Sequence, residues 1–264
     1  MPPIVTLTTD FGLSDPWVGI MKGVILGICP EARLVDLSHE VARHDVVGGQ
    51  LVIEGAVPFF PPRSVHLVVI DPGVGSRRRA LLVHAGGQFF VGPDNGLFTF
   101  LFGVPGWSAF AIEKASFRLP EVSRTFHGRD VFAPAAAHLA RGESPSRFGS
   151  PVVDPVRLPL PVARREGDAL IGEVIDVDRF GNLLTSISEA DLDGLPGEGS
   201  VVVEIAGQRP VPLLTAYAEG SVGRPGAIIG STRRLEVFVR EGTACDVLGA
   251  GRRAVVLVRR GQSA

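Results

Sequence analysis

The 264-residue chain has only two cysteines, Cys29 and Cys245, and only two lysines, Lys22 and Lys114. The cysteines lie far apart in apolar surroundings, outside any CxxC or metal-type spacing, and are expected to be buried reduced thiols. No pair of histidines stands at zinc spacing within reach of a third ligand, which argues against a metal centre. There is no GxSxG elbow and neither cysteine has a partner base, which argues against acyl-transfer chemistry. No apolar run reaches the ~20 residues of a membrane span. The N-terminal MPPIVTLTTDFG lacks the basic and apolar regions of a signal peptide. A soluble, cytoplasmic protein is expected. Charges nearly cancel, 26 basic against 28 acidic, so no basic field invites nucleic acid. All basic residues but the two lysines are arginines, a compositional bias with little bearing on function.

Glycine and proline, 33 and 21 residues, are scattered between apolar runs and punctuate many short elements. Ile4–Thr9 is a β-rich run ending at Asp10-Phe11-Gly12. Trp17–Ile28 then places Val18, Met21, Val24, Ile25 and Ile28 at helical spacing, with Pro30 as its stop. Arg33–Leu37 reads as a second strand. Val46–Pro58 reads as a helix offering Val47, Leu51, Ile53 and Ala56 to a core. Val65–Ile70 is continuously apolar enough to be buried on both faces. Ala80–His84 and Gln88–Val91 form a hairpin pattern around Gly86-Gly87, and Asp130–Leu139 is a further helix. This alternation predicts an α/β fold with a mostly parallel sheet over residues 1–150. The stretch 140–162 loses periodicity and is rich in proline, so a linker is expected at 151–165. Short β-type runs over 166–264 have the spacing of a small barrel or sandwich.

In open parallel sheets, ligands bind beyond the carboxyl ends of the strands. Asp10, Asp36 and Asp71 fall there, although aspartate also caps helices and opens turns. Asp71 stands out because the glycine-rich turn of DPGVGSRRR and then Arg77, Arg78 and Arg79 follow it. That segment matches neither GxxxxGK[ST] nor GxGxxG. It presents a carboxylate and a guanidinium able to hold a water, or else a tight turn with solvated arginines. His127, in TFHGRD, is expected on a loop before a helix. His39, His44, His66, His84 and His138 sit singly on helix or strand patterns and read as structural. Asp178-Arg179-Phe180-Gly181-Asn182 lies between two β runs. It is a hairpin turn, or a site with a carboxylate for an ammonium or a diol, a ring to stack on and an amide to read a base edge.

Taken in order, TLTTDFG, DPWVGIMKGVI, VIDPGVGSRRR, GPDNGLFT, TFHGRDVFAPAA, VDRFGNLLTSI and GSTRRLEVF resemble one family across nearly the whole chain. It is the S-adenosylmethionine hydroxide adenosyltransferases, the S-adenosylmethionine hydrolases related to the fluorinase and chlorinase. The resemblance implies an N-terminal α/β domain, a smaller C-terminal β-barrel-like domain, and a homotrimer with sites at subunit interfaces. It implies attack of water or hydroxide on the ribose C5′ of S-adenosylmethionine, giving adenosine and methionine, with no cofactor and no metal. The family's polar triad falls on Asp71, Arg78 and His127. By the same resemblance Asp10 is the ribose-diol carboxylate, Asp178 the partner of the methionine ammonium, and Asn182 the adenine reader beside Phe180. Ser231, Glu236 and the backbone near Ala244 are further substrate contacts. The acid and arginine of DPGVGSRRR, and the short run between Ala80 and Gly92, favour hydroxide over halide. Thr232 departs from the pattern, standing where the fluorinase has an arginine for the methionine carboxylate. Two other readings stay open: a binding module or sensor without turnover, and a halide-dependent halogenase.

Overall fold

The computed structural model describes residues 2–197 and 199–261. Two compact units divide between Pro159 and Leu160. The first contains β1 (Ile4–Thr9), α1 (Trp17–Ile28), β2 (Arg33–Ser38), α2 (Val46–Ala56), β3 (Val65–Val69), β4 (Ala80–Ala85), β5 (Gln88–Pro93), β6 (Ser108–Ala111) and α3 (Ala133–Ala140). Its sheet has the order β2-β1-β3-β5-β4-β6. The pairs β1–β2, β1–β3 and β3–β5 are parallel, while β4 runs antiparallel to β5 and β6.

Both faces of this sheet are covered. Val5, Leu7 and Leu67 pack with Met21 and Ile25 of α1 and with the alanines of α3. Val68 and Ile70 pack with Ile53 of α2 and with Leu97, Phe98 and Phe102. Every residue of β3 is therefore buried, as its continuous apolar run predicts. In α2 the expected apolar stripe is not the contact face. Ile53 is buried, but Val47, Leu51 and Ala56 are only partly so, and Gly48, Gly49 and Gln50 take the inner positions. A Cβ on Gly49 would lie 2.7 Å from Ile70 Cδ1, so the absence of a side chain lets the helix approach the sheet. Asp45 caps α2 by accepting from Gly48 N–H at 3.0 Å. A 3₁₀ turn over Val57–Phe59 replaces the last expected turn of helix, with Pro58 inside it.

His66 on β3 is fully buried, as a structural histidine should be. Its Nε2 lies 2.9 Å from Gln88 Oε1 and its Nδ1 2.8 Å from Thr6 Oγ1. Only N–H can donate to the amide oxygen, so the ring carries its proton on Nε2 and accepts from the Thr6 hydroxyl. Burial pushes this imidazole down to about 4, with the Gln88 bond opposing. The unfolded chain binds a proton here from its ordinary value of 6.5 downward, while the folded chain resists until about 4. Stability is therefore full above that window and lost as pH falls through it, by about 3 kcal/mol for this residue. Urea denaturation at pH 7 and pH 4.5 should show a smaller acid penalty for His66→Gln than for the parent. Equal penalties would remove His66 as the cause.

The second unit contains β7 (Arg164–Glu166), β8 (Ala169–Val177), β9 (Leu183–Ser188), α4 (Glu189–Asp193), β10 (Val201–Ile205), β11 (Val211–Leu214), β12 (Pro225–Ile229), β13 (Arg234–Val239), α5 (Ala244–Leu248) and β14 (Val255–Arg260). Strands in the order β14-β10-β11-β12-β13-β9-β8 close into a barrel through pairing of β14 with β8, and β7 adds to β8. Leu183, Ile187, Val203, Leu235, Val237, Val256 and Val258 fill the interior. Closure of this ring makes the unit a barrel and not a sandwich. The strand β11 carries no clear signal in sequence because Pro210 precedes it and Pro212 interrupts it. Cys29 is buried as expected, but Cys245 is only half-buried, its thiol 3.7 Å from the Asp246 carboxylate. The proline-rich stretch expected as a linker is tied down over its first half. Pro151 bridges to Phe110, Asp154 pairs with Arg79, and Val156 and Leu158 donate N–H to Asp94 and Thr99. Among the described residues no helix is long and apolar enough to cross a membrane.

Candidate active site

Asp71 sits just past the carboxyl end of β3, after the fully buried Ile70. The chain then turns through Pro72–Ser76, with Val74 N–H on Asp71 C=O and Ser76 N–H on Gly73 C=O, and re-enters the sheet as β4. This reversal lays Arg78 back over Asp71. Arg78 Nε donates to Asp71 Oδ1 at 2.8 Å and Nη2 donates to Oδ2, a bidentate pair with side chains only 9% and 5% exposed. The same Nη2 donates to His127 Nδ1 at 2.8 Å, and the guanidinium stands 5.1 Å from the centre of the Phe132 ring. The three residues of the expected triad thus form one connected cluster.

His127 begins a π-helical turn, Gly128–Phe132, that runs into α3, where a plain helix from Asp130 was expected. Such turns recur at functional sites because they re-aim side chains at the cost of helical regularity. Asp130, fully buried, accepts from Ser123 N–H at 2.8 Å and from Arg129, while its own C=O accepts from Leu119 N–H. Gly75 allows the Asp71 loop to meet the segment at Arg124 that leads into His127. Its φ is +76°, and a Cβ there would lie 2.4 Å from Arg124 C=O. Guanidinium can only donate, so His127 Nδ1 must be the acceptor and the neutral ring carries its proton on Nε2. Burial lowers the His127 pKa, and the Arg78 cation lowers it further, against the opposing charge of Asp71.

Asp10 follows β1 and accepts the backbone N–H of His44 at 2.8 Å on Oδ2; His44 takes a left-handed φ of +64° to deliver it. Asp36 is engaged by Lys22 and His39 and stands outside the Asp71–Arg78–His127 cluster. In the GPDNG segment, Asn95 donates to Ile70 C=O at 2.9 Å, immediately before Asp71, and Asp94 holds Arg79. Asn95 and Asp130 are supports that residue-by-residue reading missed, although both lie within the motifs TFHGRD and GPDNG.

In the second unit Asp178 organises the turn between β8 and β9. Its Oδ1 accepts from Phe180 N–H and Asn182 N–H at 2.8 and 2.9 Å, and its Oδ2 accepts from the Asn182 side chain. Gly181 has φ +79° and lies so close to Thr243 that a Cβ would sit 2.7 Å from its Cβ. Cys245 N–H donates to Gly181 C=O, which sets the turn against buried Ala244 at the start of α5. Phe180 is 76% exposed, its ring open to a planar partner. Glu236 on β13 accepts from the Tyr217 hydroxyl at 2.9 Å and lies over Gly230, where a Cβ would collide with it; exposed Ser231 follows. Burial raises the Glu236 pKa, and the charge of Asp178 adds to this. Tyr217 is pushed up to about 12, by burial first and then by Glu236 and Asp178. Two carboxylates and a phenol that cannot ionise beside them make an environment suited to a cation. Sequence reading did not single out Tyr217, which lies outside every quoted motif. Thr232 is exposed, and Arg233 is engaged by Glu189 at 2.6 Å.

The model of the S-adenosylmethionine hydroxide adenosyltransferase N-terminal domain matches residues 5–149, and that of the C-terminal domain matches residues 172–257. The chain belongs to the S-adenosylmethionine hydroxide adenosyltransferase family. It is 40% identical to an (R)-S-adenosyl-L-methionine hydrolase of Salinispora tropica, covering 94% of each chain. It is 41% identical to one of Thermus thermophilus, covering 94% of this chain and 96% of that protein. An uncharacterized conserved protein of Thermotoga maritima has the same fold, with a TM-score of 0.90 at 34% identity, over 97% of this chain and all of that one. Fluorinases match at 27–28% identity. The N-terminal model spans Asp71, Arg78 and His127, and the C-terminal model spans Asp178, Tyr217 and Glu236.

Proposed function

We propose that this protein is a hydrolase that cleaves S-adenosylmethionine to adenosine and L-methionine, acting on the (R)-sulfonium epimer named in its curated relatives. The observation that carries the reading is the Arg78 guanidinium joined at once to Asp71 and His127. Water oxygen attacks the ribose C5′, the C5′–S bond breaks, and its electron pair leaves on sulfur as a neutral thioether. One water proton passes to solvent. The leaving group needs neither an acid nor a metal, so the difficulty is the nucleophile, since bulk water has a pKa near 15.7.

In this arrangement Arg78 stabilises hydroxide electrostatically. Its Nη1 edge has only a 3.5 Å contact to Arg79 C=O and is the part left for a nucleophile. His127 points its Nε2–H as a second donor, and Asp71 fixes the guanidinium. His127 Nδ1 has a single lone pair and it already accepts from Arg78, whereas each Asp71 oxygen accepts one bond from Arg78 and keeps a second lone pair. The nucleophile, hydroxide or a water that passes its proton by way of Asp71 to solvent, is held in line with the C5′–S bond. Asp10 takes the ribose diol, Asn182 and Phe180 the adenine, and the Asp178–Glu236–Tyr217 group the methionine ammonium, with Ser231 and the backbone at Ala244 as further contacts. A cytoplasmic homotrimer belongs to the same reading, supported by the family resemblance.

Chromatography after incubation with each sulfonium epimer, with and without chloride, tests this. Adenosine and methionine should appear, fastest from the (R) epimer and independent of chloride. Saturable binding without adenosine would make the protein a sensor, and 5′-chloro-5′-deoxyadenosine would make it a halogenase.

A further inference from the structure

Beside Asp10, and outside the Asp71–Arg78–His127 cluster, four side chains form a continuous polar chain across α1, β2 and β1. Lys22 on α1 donates to Asp36 Oδ2 at 2.6 Å. His39 Nε2 lies 3.0 Å from Asp36 Oδ1, and His39 Nδ1 lies 2.9 Å from Thr9 Oγ1. Thr9 Oγ1 in turn accepts Phe11 N–H at 3.3 Å. With the imidazole neutral, the directions follow: Asp36 accepts from Lys22 and faces the His39 Nε2–H at 3.0 Å, His39 accepts from Thr9, and Thr9 accepts from the backbone. A hydroxyl, an imidazole and a carboxylate in series have the form of a nucleophilic triad. Thr9 is fully buried, however, and no substrate can reach its oxygen. The chain therefore acts on what it holds.

What it holds is the segment on both sides of Asp10. Phe11 N–H is fixed by Thr9, and Gly12 N–H donates to His39 C=O at 2.8 Å, with Gly12 at φ +66°. The β1–β2 register slips between Leu7 and Thr8, while β1 stays in register with β3 through Thr9, so β3 anchors one side of the strand end and these contacts set its course on the other. His44 N–H then fixes Oδ2 of Asp10 itself. We propose that Lys22, Asp36, His39 and Thr9 are positioning residues that aim the Asp10 carboxylate at the ribose diol. The proposal rests on the assignment of Asp10 to the ribose, made above. It gives Asp36 a role behind the site and removes His39 from the purely structural histidines.

The test compares KM and kcat for S-adenosylmethionine and for its 2′-deoxy analogue, which lacks one of the two hydroxyls. Thr9→Val preserves shape and removes the hydroxyl, while Thr9→Ser preserves the hydroxyl. Thr9→Val is expected to raise KM for S-adenosylmethionine about tenfold, with kcat within about twofold and a smaller rise for the analogue, which keeps one hydroxyl for Asp10. Thr9→Ser should restore the parent value, and Thr9→Val should add nothing in an Asp10→Asn background. Asp36→Asn, at the exposed end of the chain, should move KM in the same sense if Thr9→Val fails to fold. Equal losses on both substrates, or a change in kcat alone, would overturn the positioning role while leaving Asp10 in place. An Asp10→Asn variant with unchanged KM on both substrates would instead overturn the ribose assignment, and the positioning role with it.

Discussion

Arg78→Ala is expected to lower kcat by about 10³-fold, the scale on which a preorganised donor to a developing or bound oxyanion acts. The guanidinium touches both other members of the cluster, so in the proposed mechanism its loss removes the charge facing the nucleophile and frees His127 Nδ1. A second effect is separate. Asp71 is almost wholly buried and would be left without its partner, which costs about 3–5 kcal/mol of stability. Arg78→Ala together with Asp71→Ala should recover much of that stability and none of the activity. Urea denaturation distinguishes the two effects, and adenosine release measured well below the unfolding transition isolates the first. The acid limb of kcat/KM should lie below 6.5 in the parent, because burial and Arg78 both disfavour the imidazolium. In the single variant it should move upward. A variant that kept kcat within about threefold would place the guanidinium away from the reacting atoms.

Asp178→Ala is expected to raise KM about 100-fold with a much smaller change in kcat. This carboxylate accepts three hydrogen bonds that shape the turn carrying Phe180 and Asn182, and it contributes one of the two charges beside Tyr217. Each charge-assisted bond is worth about 1.5–3 kcal/mol, enough for the expected loss when turn and charge go together. Asp178→Asn retains an oxygen for the two backbone N–H groups but loses the charge and the acceptor for the Asn182 side chain, so its KM should rise about tenfold. A substrate analogue without the amino group isolates the ammonium contribution, since the two variants should differ less from the parent on it. Parent-like KM for Asp178→Ala would remove this turn from the substrate site.

Much of the fold was legible in the sequence. The apolar run of β3 and the spacing of Val18, Met21 and Ile25 in α1 each specify burial locally, because period and composition decide which face avoids water. Positions where absence of a side chain makes the contact were not legible. Gly49 against Ile70 and Gly75 against Arg124 work through what is missing, and hydrophobic patterning assigns such residues no face. The proline-bearing strand β11 was silent as well, since barrel closure supplies pairing that its own propensity does not.

The sequence by itself determined the residue types and their order: an acid and an arginine around a glycine turn, a histidine before a helix, and an Asp-x-x-Gly-Asn turn. With the motif resemblance, these sufficed to indicate the chemistry. Only the tertiary structure decided which atoms meet. Asp71 and His127 lie 56 positions apart and are joined through Arg78, which fixes the histidine tautomer by a donor that cannot accept. Asp36 likewise sits at the end of a strand in sequence, but its oxygens are taken by Lys22 and His39. Hydrogen bonds act over about 3 Å and depend on direction. Residue spacing along the chain carries neither quantity, and the packed fold carries both.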